Sequence, residues 1–260
     1  MILQHRVALN SVQLDSVDDR IMVKGVATQA PNEKPLTAAL AGNGARYLRT
    51  KRESQDVTVR IGLRIYDDEM DEREELIEQV NAWAGNLPNW LTTSQKPGRR
   101  IWVESVKVPA PGDPAEWTNE FTYTFTAQSS PWWENTEATV LVLAQDDEGS
   151  GTLTMPGSAD TVAEATIQNK SGDTLNALTI AANDTAFTFT NLGLANNGTL
   201  TIDHVRAGGV TVLRARVGNA SKLAKMSGDD ELILHPGANN IEYTAEGDVI
   251  VQVSARGRYR

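Results

Sequence analysis

The chain has 260 residues, of which 40% are apolar and 22% are charged, and its formal net charge at pH 7 is −10. This length accommodates one large domain or two ordinary ones, and the composition is that of a soluble globular protein. The acidic balance argues against a reader of duplex nucleic acid, because such a protein needs a basic surface to neutralise phosphates.

The chain contains no cysteine. Disulfides, thiolate nucleophiles and cysteine-ligated metals are therefore excluded, and a reducing cytoplasm is compatible with this composition. The apolar residues at positions 1–3 are followed at once by polar residues at positions 4–6. We therefore expect neither a signal peptide nor a membrane helix, and we expect the protein to assemble where it is synthesised.

The N-terminal segment predicts short strands separated by turns. Apolar residues at Val7, Leu9 and Val12 precede a polar turn, and a second strand is expected over residues 21–26. A strand and a loop rich in Thr, Pro and Gly are then expected up to about Asn43. The glycine-rich run at positions 42–46 lacks the Lys-Ser/Thr of a P-loop, so a tight turn is expected there. The basic residues that follow are expected to lie in a solvated loop; they are Arg46, Arg49, Lys51 and Arg52.

Residues 56–125 predict a compact cassette of strand, helix, strand and strand. Apolar residues alternate from Val57 to Ile65, which is the two-residue period of a strand. The acidic opening after Asp67 suits a helix N-terminus, and apolar residues at helical spacing extend the helix to Gly85. Two further strands are predicted over residues 100–108 and 120–125. The Lys96–Arg99 segment is expected to form the turn before the first of them.

The second half predicts an all-β domain. Short strand candidates recur between turn pairs such as Asn197-Gly198 and Pro236-Gly237, which indicates an antiparallel sandwich. The acidic, glycine-rich segment at 145–151 is expected to be a loop. We place the domain boundary after Glu134, with domains at 1–134 and 135–260. The strand candidates are 140–143, 163–168, 177–181, 186–190, 199–202, 210–215, 231–234, 240–243 and 249–253, and the other two turn pairs are Ser171-Gly172 and Gly208-Gly209.

Reactive side chains are not gathered in any recognisable motif. The only histidines are His5, His204 and His235, and none has the spacing of a metal site. Asp203 and His204 are adjacent on a predicted strand, so their side chains point to opposite faces and form no ready acid-base pair. Two carboxylates flanking an aromatic ring, Glu116 and Glu120 around Trp117, resemble a sugar-processing pair, although exposed loop carboxylates explain them better. We therefore predict no catalytic, cofactor-binding or metal-binding residue, and no enzyme.

Tryptophan is confined to the first predicted domain: Trp83, Trp90, Trp102, Trp117, Trp132 and Trp133. We expect Trp83 to seal the helix against the sheet, and others to anchor subunit contacts, where Trp is over-represented. Trp132 and Trp133 are candidates for a hinge or an interface, with packing between domains as the alternative. In the second half, Phe187 and Phe189 alternate on one strand face and are expected to fill the core.

The succession of motifs along the chain resembles the siphophage distal tail proteins. The N-terminal motifs are LNSVQLDSVDDRIMVKGV at 9–26, VNAWAGNLP at 80–88, KPGRRIWV at 96–103 and SPWWEN at 130–135. The segments ATIQNKSG, LTID and LHPGANNIEY in the second half are similar to the C-terminal galectin-like sandwich of that family. The resemblance covers nearly the whole chain. It implies a mainly β fold with one principal helix, in which a β-rich, ring-forming α+β domain precedes a galectin-like antiparallel β-sandwich.

The resemblance also implies a role at the virion tail tip of a phage, a prophage or a tail-like particle. The protein would form a homo-hexameric hub between the tail tube and the baseplate or fibre proteins. Its expected partners are a tail tube protein, a tail-associated hub or lysin protein and a receptor-binding protein. DNA would pass through the ring without specific binding, and no membrane is involved. The alternative is a lectin-like sandwich that binds a host-surface saccharide through an exposed aromatic ring, with no reactive centre.

An acidic lumen would keep DNA from adhering to such a ring, which fits the net charge. Two clusters are equally available for that role, namely Asp15, Asp18 and Asp19 or Asp67, Asp68 and Glu69. Solvated turns and a helix start nevertheless explain each cluster better. One polar strand face, formed by His204, Arg206, Arg214 and Arg216, is expected to be exposed to solvent.

Overall fold

A computed structural model describes residues 5–29, 32–39, 45–65, 70–109, 119–207 and 210–259. The chain divides into two compact units, Met1–Trp133 (unit 1) and Glu134–Arg260 (unit 2). The described residues are mainly β structure with a single α-helix, and the strands pair antiparallel. The expectation of a mainly β protein with one principal helix is confirmed.

Among its described residues, unit 1 contains the helix and nine complete strands, and a tenth described strand crosses into unit 2. The elements are β1 (Val7–Leu9), β2 (Val12–Gln13), a 3₁₀ turn (Leu14–Ser16), β3 (Ile21–Thr28), β4 (Asn32–Ala39), β5 (Ala45–Leu63), α1 (Met70–Ala84), β6 (Asn89–Thr93), β7 (Arg99–Val103), β8 (Ser105–Lys107), β9 (Glu120–Ala127) and β10 (Trp133–Asn135).

The strand β5 organises unit 1, because its two halves have different partners. Residues 55–63 pair with β9, and residues 57–63 pair with β3 on the other side. Residues 45–54 pair with β4. The four basic residues expected in a loop before Val57 therefore lie in a strand instead. That prediction was wrong because the ladder with β4 supplies backbone hydrogen bonds that the local charge pattern does not reveal. The expected turn at 42–44 lies outside the described residues.

The helix α1 packs on the sheet that β3, β5, β9 and β8 form in that order. Val57, Val59 and Ile61 are fully buried on one face of β5, as their alternation predicts. Trp83 meets the ring of Phe125 edge to face, with the ring centroids 5.8 Å apart, and its Nε1 donates to the Val12 carbonyl oxygen at 3.0 Å. Residues 66–69, which include the expected acidic helix start, lie outside the described residues.

One continuous strand was predicted over residues 100–108, but the structure has two strands there, separated at Glu104. The prediction of a single strand was therefore wrong. β7 pairs with β6 in a sheet that also contains β1 and β2, whereas β8 pairs with β9 in the helix-covered sheet. The carboxylate of Glu104 accepts hydrogen bonds from the backbone N–H groups of Gln128 and Ser129 at 2.6 and 2.9 Å. These side-chain bonds fix the point at which the chain passes from one sheet to the other.

The elements of unit 2 follow in chain order. They are β11 (Thr139–Met155), β12 (Thr161–Val162), β13 (Glu164–Asn169), β14 (Leu178–Ala182), β15 (Thr185–Phe189), β16 (Thr199–Ala207), β17 (Val210–Val217), β18 (Ala220–Ser221), a 3₁₀ turn (Leu223–Lys225), β19 (Met226–Gly228), β20 (Ile233–Leu234), β21 (Gly237–Ala255) and β22 (Arg258–Tyr259). Most strands of unit 2 belong to one long, curled antiparallel sheet, whereas β12 pairs with β20 and β22 pairs with β10.

The strand β21 belongs to both halves of this sheet. Its residues 241–245 pair with β14 and its residues 249–254 pair with β13, while β11 runs along its other edge. The order β21-β14-β15-β19 forms one layer and β21-β13-β16-β17-β18 forms the other. Buried side chains alternate with exposed ones along β21, and the core lies between the layers. Phe187 and Phe189 are fully buried in this core, so that expectation is confirmed.

The acidic, glycine-rich segment at 145–151 is part of β11 and is not a loop. The ladder between β11 and β21 is irregular around Asp146, where bulges let the strand bend. The Tyr243 hydroxyl donates to the Ala144 carbonyl oxygen at 2.9 Å beside this bend. A Cβ on Gly149 would lie 2.7 Å from the Tyr243 ring, so glycine is needed there for the close approach of the two strands. The loop prediction was wrong because acidic residues and glycines suit an exposed bend in a strand as well as they suit a turn.

The packing of Trp83 can be measured separately from unit 2, because all six tryptophans lie in unit 1. We expect Trp83→Ala to lower the free energy of unfolding of unit 1 by about 3–5 kcal/mol, because it leaves a cavity beside Phe125. Urea denaturation followed by fluorescence excited at 295 nm measures this change. Trp83→Phe keeps an aromatic ring and loses the bond to Val12, so its cost should be about 1–2 kcal/mol. A cost near zero for Trp83→Ala would contradict the observed packing.

Candidate interaction surfaces

The histidines and carboxylates weighed as reactive groups lie apart. Among the described residues no group of three or more His, Asp or Glu side chains is placed to hold a metal ion. His235 contacts Asp160, with Nδ1 and Oδ1 2.9 Å apart, and both side chains are exposed. Glu120 begins β9 and lies 4.0 Å from Arg60. Glu116 and Trp117 are outside the described residues.

Asp203 and His204 lie on opposite faces of β16, as the alternation of a strand predicts. Asp203 accepts two hydrogen bonds from Arg214 on β17, at 2.9 and 2.6 Å, and Arg216 lies 3.6 Å from the same carboxylate. The hydrogen bonds from Arg214 hold the pKa of Asp203 below its ordinary value. His204 pairs with Leu213 on the core side. The predicted face that joins His204 to Arg214 and Arg216 was wrong, because register places the arginines opposite Asp203 and Thr201.

Two tryptophans and an arginine lie side by side on β6 and β7. Trp90 and Trp102 are directly opposite in the ladder, and their rings meet edge to face at 5.1 Å. The Arg100 guanidinium lies 3.9 Å from the centre of the Trp90 ring. The three side chains are half-buried, whereas Leu91 and Ile101 on the other face are fully buried. We call this set the Trp90–Trp102 face, and it has the composition of an interface anchor.

Trp132 is half-buried, and Trp133 is almost fully buried. The Lys96 ammonium lies 5.1 Å from the centre of the Trp133 ring. Burial lowers the pKa of Lys96, with a smaller contribution from the positive charge of Arg99. The Trp133 ring is thus buried beside the Lys96 side chain.

The helix-covered sheet of unit 1 ends in two strands, each of which has one neighbour among the described strands. They are β3 at one end and β8 at the other. The outer edge of each carries backbone groups that can pair with another chain. The ribbon of β4 with residues 45–54 of β5 likewise has no third strand in the described part of the chain. Unit 1 thus presents several edges suited to self-association.

The first acidic cluster is partly neutralised within unit 1. Arg20 bonds both carboxylate oxygens of Asp18, at 3.0 and 2.9 Å, and also contacts Glu72. The bond from Arg20 holds the pKa of Asp18 below its ordinary value. Asp15 lies 4.0 Å from Arg6, and Asp19 is exposed. The alternative cluster at 67–69 lies outside the described residues.

The helix of the described chain does not have the length and apolar character that a membrane crossing requires.

No family model matches the chain, and no curated protein matches it. Several solved structures, in contrast, are similar to the chain. The Dit protein of phage SPP1, whose crystal structure is presented as a paradigm of the hub adsorption apparatus in phages that infect Gram-positive bacteria, is 16% identical, with a TM-score of 0.68 over 97% of this chain and 98% of that chain. The chain therefore has the fold of the SPP1 Dit protein.

Two structures of the activated baseplate of phage P2 also match. The calcium form is 8% identical over 99% of this chain and 98% of the other, with a TM-score of 0.47. The strontium form is 7% identical over 97% of each chain, with a TM-score of 0.41. The Dit fold extends through both units, since the match to the SPP1 protein covers nearly the whole of each chain.

The Asp203–Arg214 pair gives a test of the register between β16 and β17. We expect Arg214→Gln to raise the pKa of Asp203 toward its ordinary value of 3.8, because two hydrogen bonds to the carboxylate are lost. Carboxyl ¹³C NMR titration measures this pKa directly. Arg216→Gln is the matched control and should produce a smaller rise, since Arg216 lies farther from the carboxylate.

The same pair predicts the direction of a stability change with pH. A carboxyl group whose pKa is lowered in the folded protein stabilises it above pH 3.8, and this contribution is lost as pH falls through the folded pKa. Arg214→Gln should therefore lower the free energy of unfolding at pH 7 and have a shrinking effect in acid. An Asp203 pKa that does not change in Arg214→Gln would contradict the pairing.

Proposed function

We propose that this protein is a distal tail hub, a structural component of the tail tip of a phage, a prophage or a tail-like particle. In this role it forms a homo-hexameric ring through unit 1 and connects the tail tube to baseplate or fibre proteins. The observation that carries the proposal is the Dit fold, which matches a phage hub protein along nearly the full length of both chains. Unit 2 then serves as a galectin-like docking platform on the outside of the ring.

The two ends of the sheet in unit 1 support a ring. A cyclic assembly needs two different, complementary surfaces on each subunit, since the contact is head to tail. The outer edges of β3 and β8 are two such surfaces at opposite ends of one sheet. Closing the ring would pair edges that otherwise remain exposed to aggregation.

The Trp90–Trp102 face supplies an anchor for the same assembly. Trp and Arg dominate the residues at which truncation weakens interfaces most, and they do so where the contact excludes water. These half-buried rings lie on the face of β6 and β7 that points away from the core of Leu91 and Ile101. We assign this face to the contact between neighbouring subunits.

The remaining partners follow from the hub role. They are a tail tube protein on one side of the ring, and a tail-associated hub or lysin protein and a receptor-binding protein on the other. DNA passes through the ring without specific binding, and the net charge of −10 supports this because it disfavours phosphate contacts. The protein acts by shape and self-association and is not an enzyme. It assembles in the cytoplasm of the bacterial host and resides in the virion.

Saccharide binding has less support than the hub role. A sugar site on a β-sandwich uses an exposed aromatic ring for stacking. Phe187, Phe189 and Tyr243 are buried in unit 2, and the side chain of Tyr259 is half-buried. We therefore do not assign a lectin role to unit 2.

The mass of the wild-type protein in solution tests the hub proposal. We expect a species of about six times the 28.3 kDa of one chain, with a central hole visible by negative-stain electron microscopy. A chain that remains monomeric at high concentration would contradict the proposal. Hydrolysis of a polysaccharide would indicate an enzyme, and binding of a monomer to a glycan array would indicate a lectin.

Trp102→Ala tests the anchor within the ring. We expect it to raise the concentration at which rings dissociate by about 30-fold or more, which corresponds to about 2 kcal/mol at a dominant interface residue. Mass photometry over a dilution series measures this concentration. Val142→Ala is the control, because Val142 is an exposed apolar side chain in unit 2. Circular dichroism checks that both variants are folded. If their rings then dissociate at the same concentration, the Trp90–Trp102 face is not part of the subunit contact.

A further inference from the structure

An open cleft in unit 2 lies where the two layers of the sandwich face each other between edge strands. It encloses about 820 Å³. Its walls come from β16 and β17 on one side and from β15, β19 and the 3₁₀ turn before β19 on the other. We call it the His204 cleft. Its lining residues include Val212, Leu213, Leu223, Met226 and Ile233, with His204 beside them.

The floor of the His204 cleft is an uncovered end of the hydrophobic core. Leu213 and Met226 pack against the buried core residues while remaining partly accessible. The Val212 side chain points to the other face of β17, opposite Val205, so the accessible apolar groups of the floor are Leu213, Met226 and Leu223, of which Leu223 is 38% exposed. Covering them with another apolar group would gain about 25 cal/mol for each Å² removed from water.

His204 contributes a polar group that has no partner within the described chain. Its two ring nitrogens are both shielded from solvent, and neither has a hydrogen-bond partner. A neutral imidazole offers one donor and one acceptor, and a buried polar group without a partner costs about 1–3 kcal/mol. A ligand that both donates and accepts at this ring would remove that cost.

One rim of the His204 cleft is acidic, and its backbone is firmly held. The N–H of Asp229 donates to the Ala186 carbonyl oxygen at 2.9 Å, and its carboxylate accepts from the Ala186 N–H at 2.8 Å. Gly228 has φ +104°, and a Cβ there would lie 2.3 Å from the Ala186 carbonyl oxygen, so only glycine allows this approach. Asp230 and Glu231 follow on the same rim and are exposed.

The lining residues of the cleft include no Lys or Arg, so none of them neutralises the negative charge of this rim. The nearby Lys222 ammonium donates to the Leu192 carbonyl oxygen at 2.8 Å. Glu231 also interacts with the Arg258 guanidinium, whose pKa burial lowers. Asp229 and Asp230 remain as the carboxylates that give the rim its charge.

Two strand edges also lie open beside the cleft. β18 pairs only with Arg216 and Val217, so the stretch of β17 that lines the cleft at Thr211–Leu213 has no strand on its outer edge among the described residues. β19 is the last described strand at the other end of the sheet. Open edges bind extended chain segments through main-chain hydrogen bonds, and pockets for alternate side chains give specificity.

We propose that the His204 cleft binds an extended segment of a partner protein in which aliphatic and basic residues alternate. The aliphatic side chains cover the apolar floor, the basic ones face Asp229 and Asp230, and the segment provides both a donor and an acceptor for His204. That this partner belongs to the tail tip rests on the proposed hub function. A second copy of this chain is disfavoured as the occupant, because its net charge of −10 repels the acidic rim.

Binding of synthetic peptides to the full-length protein tests this site. The probes are fluorescent hexapeptides that alternate valine with arginine or lysine, and the matched set carries glutamate in place of the basic residues. We expect the basic set to bind at least tenfold more tightly than the acidic set by fluorescence anisotropy. Methylation of the strand-forming backbone amides of the best basic peptide should weaken it at least tenfold, whereas free arginine should compete only weakly.

Variants of the protein locate the binding. His204→Phe removes both polar ring atoms and should weaken the best peptide at least fivefold, while His235→Phe, at an exposed histidine in the same unit, should not change its affinity. Asp230→Asn should weaken it about threefold, and Asp184→Asn, at another exposed aspartate of unit 2, should not. Asp230 is exposed, so this variant remains informative if His204→Phe fails to fold.

Four results would overturn the proposal, and the first three concern the peptides and the variants. They are absence of binding by the whole basic set at millimolar concentration, equal affinity of the basic and acidic sets, and full affinity in Asp230→Asn together with a folded His204→Phe. Complete competition by free arginine, with no effect of amide methylation, would instead indicate a small-cation site and would also overturn it. Mass photometry on the same samples reports the ring independently, so loss of the hub and loss of the cleft are distinguishable.

Discussion

A single 19-residue strand, β21, holds the two layers of unit 2 together. Its first half pairs with β14 and its second half pairs with β13, and β11 follows it along the opposite edge. Inward side chains therefore keep one alternation from Ile241 to Val253 while the sheet curls around them. The two layers are halves of one sheet that share β21. The core between them therefore depends on this strand remaining continuous through its bend. β5 has a comparable role in unit 1, where it joins the β4 ribbon to the helix-covered sheet.

The sequence predicts those parts of the fold whose pattern is local. Alternation from Val57 to Ile61 and helical spacing up to Ala84 identify the β5 core and α1, and alternating Phe187 and Phe189 identify a core-facing strand. Pairing between distant segments is not visible in this way. The basic residues 46–52 are in a strand because β4 pairs with them, and residues 145–151 are in a strand because β21 does. Both segments have turn-like or loop-like composition, since bends and ribbon edges favour the same polar residues.

The interaction surfaces show the same limit. Strand periodicity places Asp203 and His204 on opposite faces without further information. It does not show that Arg214 and Arg216 lie across from Asp203 and Thr201, because that depends on the register of β16 against β17. Nor does it show that both nitrogens of His204 lack partners, which depends on packing at one end of the core. The confinement of Trp to the first 133 residues is a signal in the sequence, yet only the ladder of β6 and β7 brings Trp90 opposite Trp102.

The exposed edges of the two units differ in chemistry, and this difference separates their proposed partners. A ring contact joins identical chains, so it must succeed between molecules that each carry a charge of −10. Backbone pairing and the Trp90–Trp102 face suit that contact, because neither depends on opposite net charges. The His204 cleft has an acidic rim beside an apolar floor, and association there gains most from a basic chain. In these proposals, identical subunits bind one another through unit 1, and a different, basic chain binds unit 2. Electrostatic repulsion would disfavour a second copy of this chain in the cleft, so the two kinds of partner would bind at different sites.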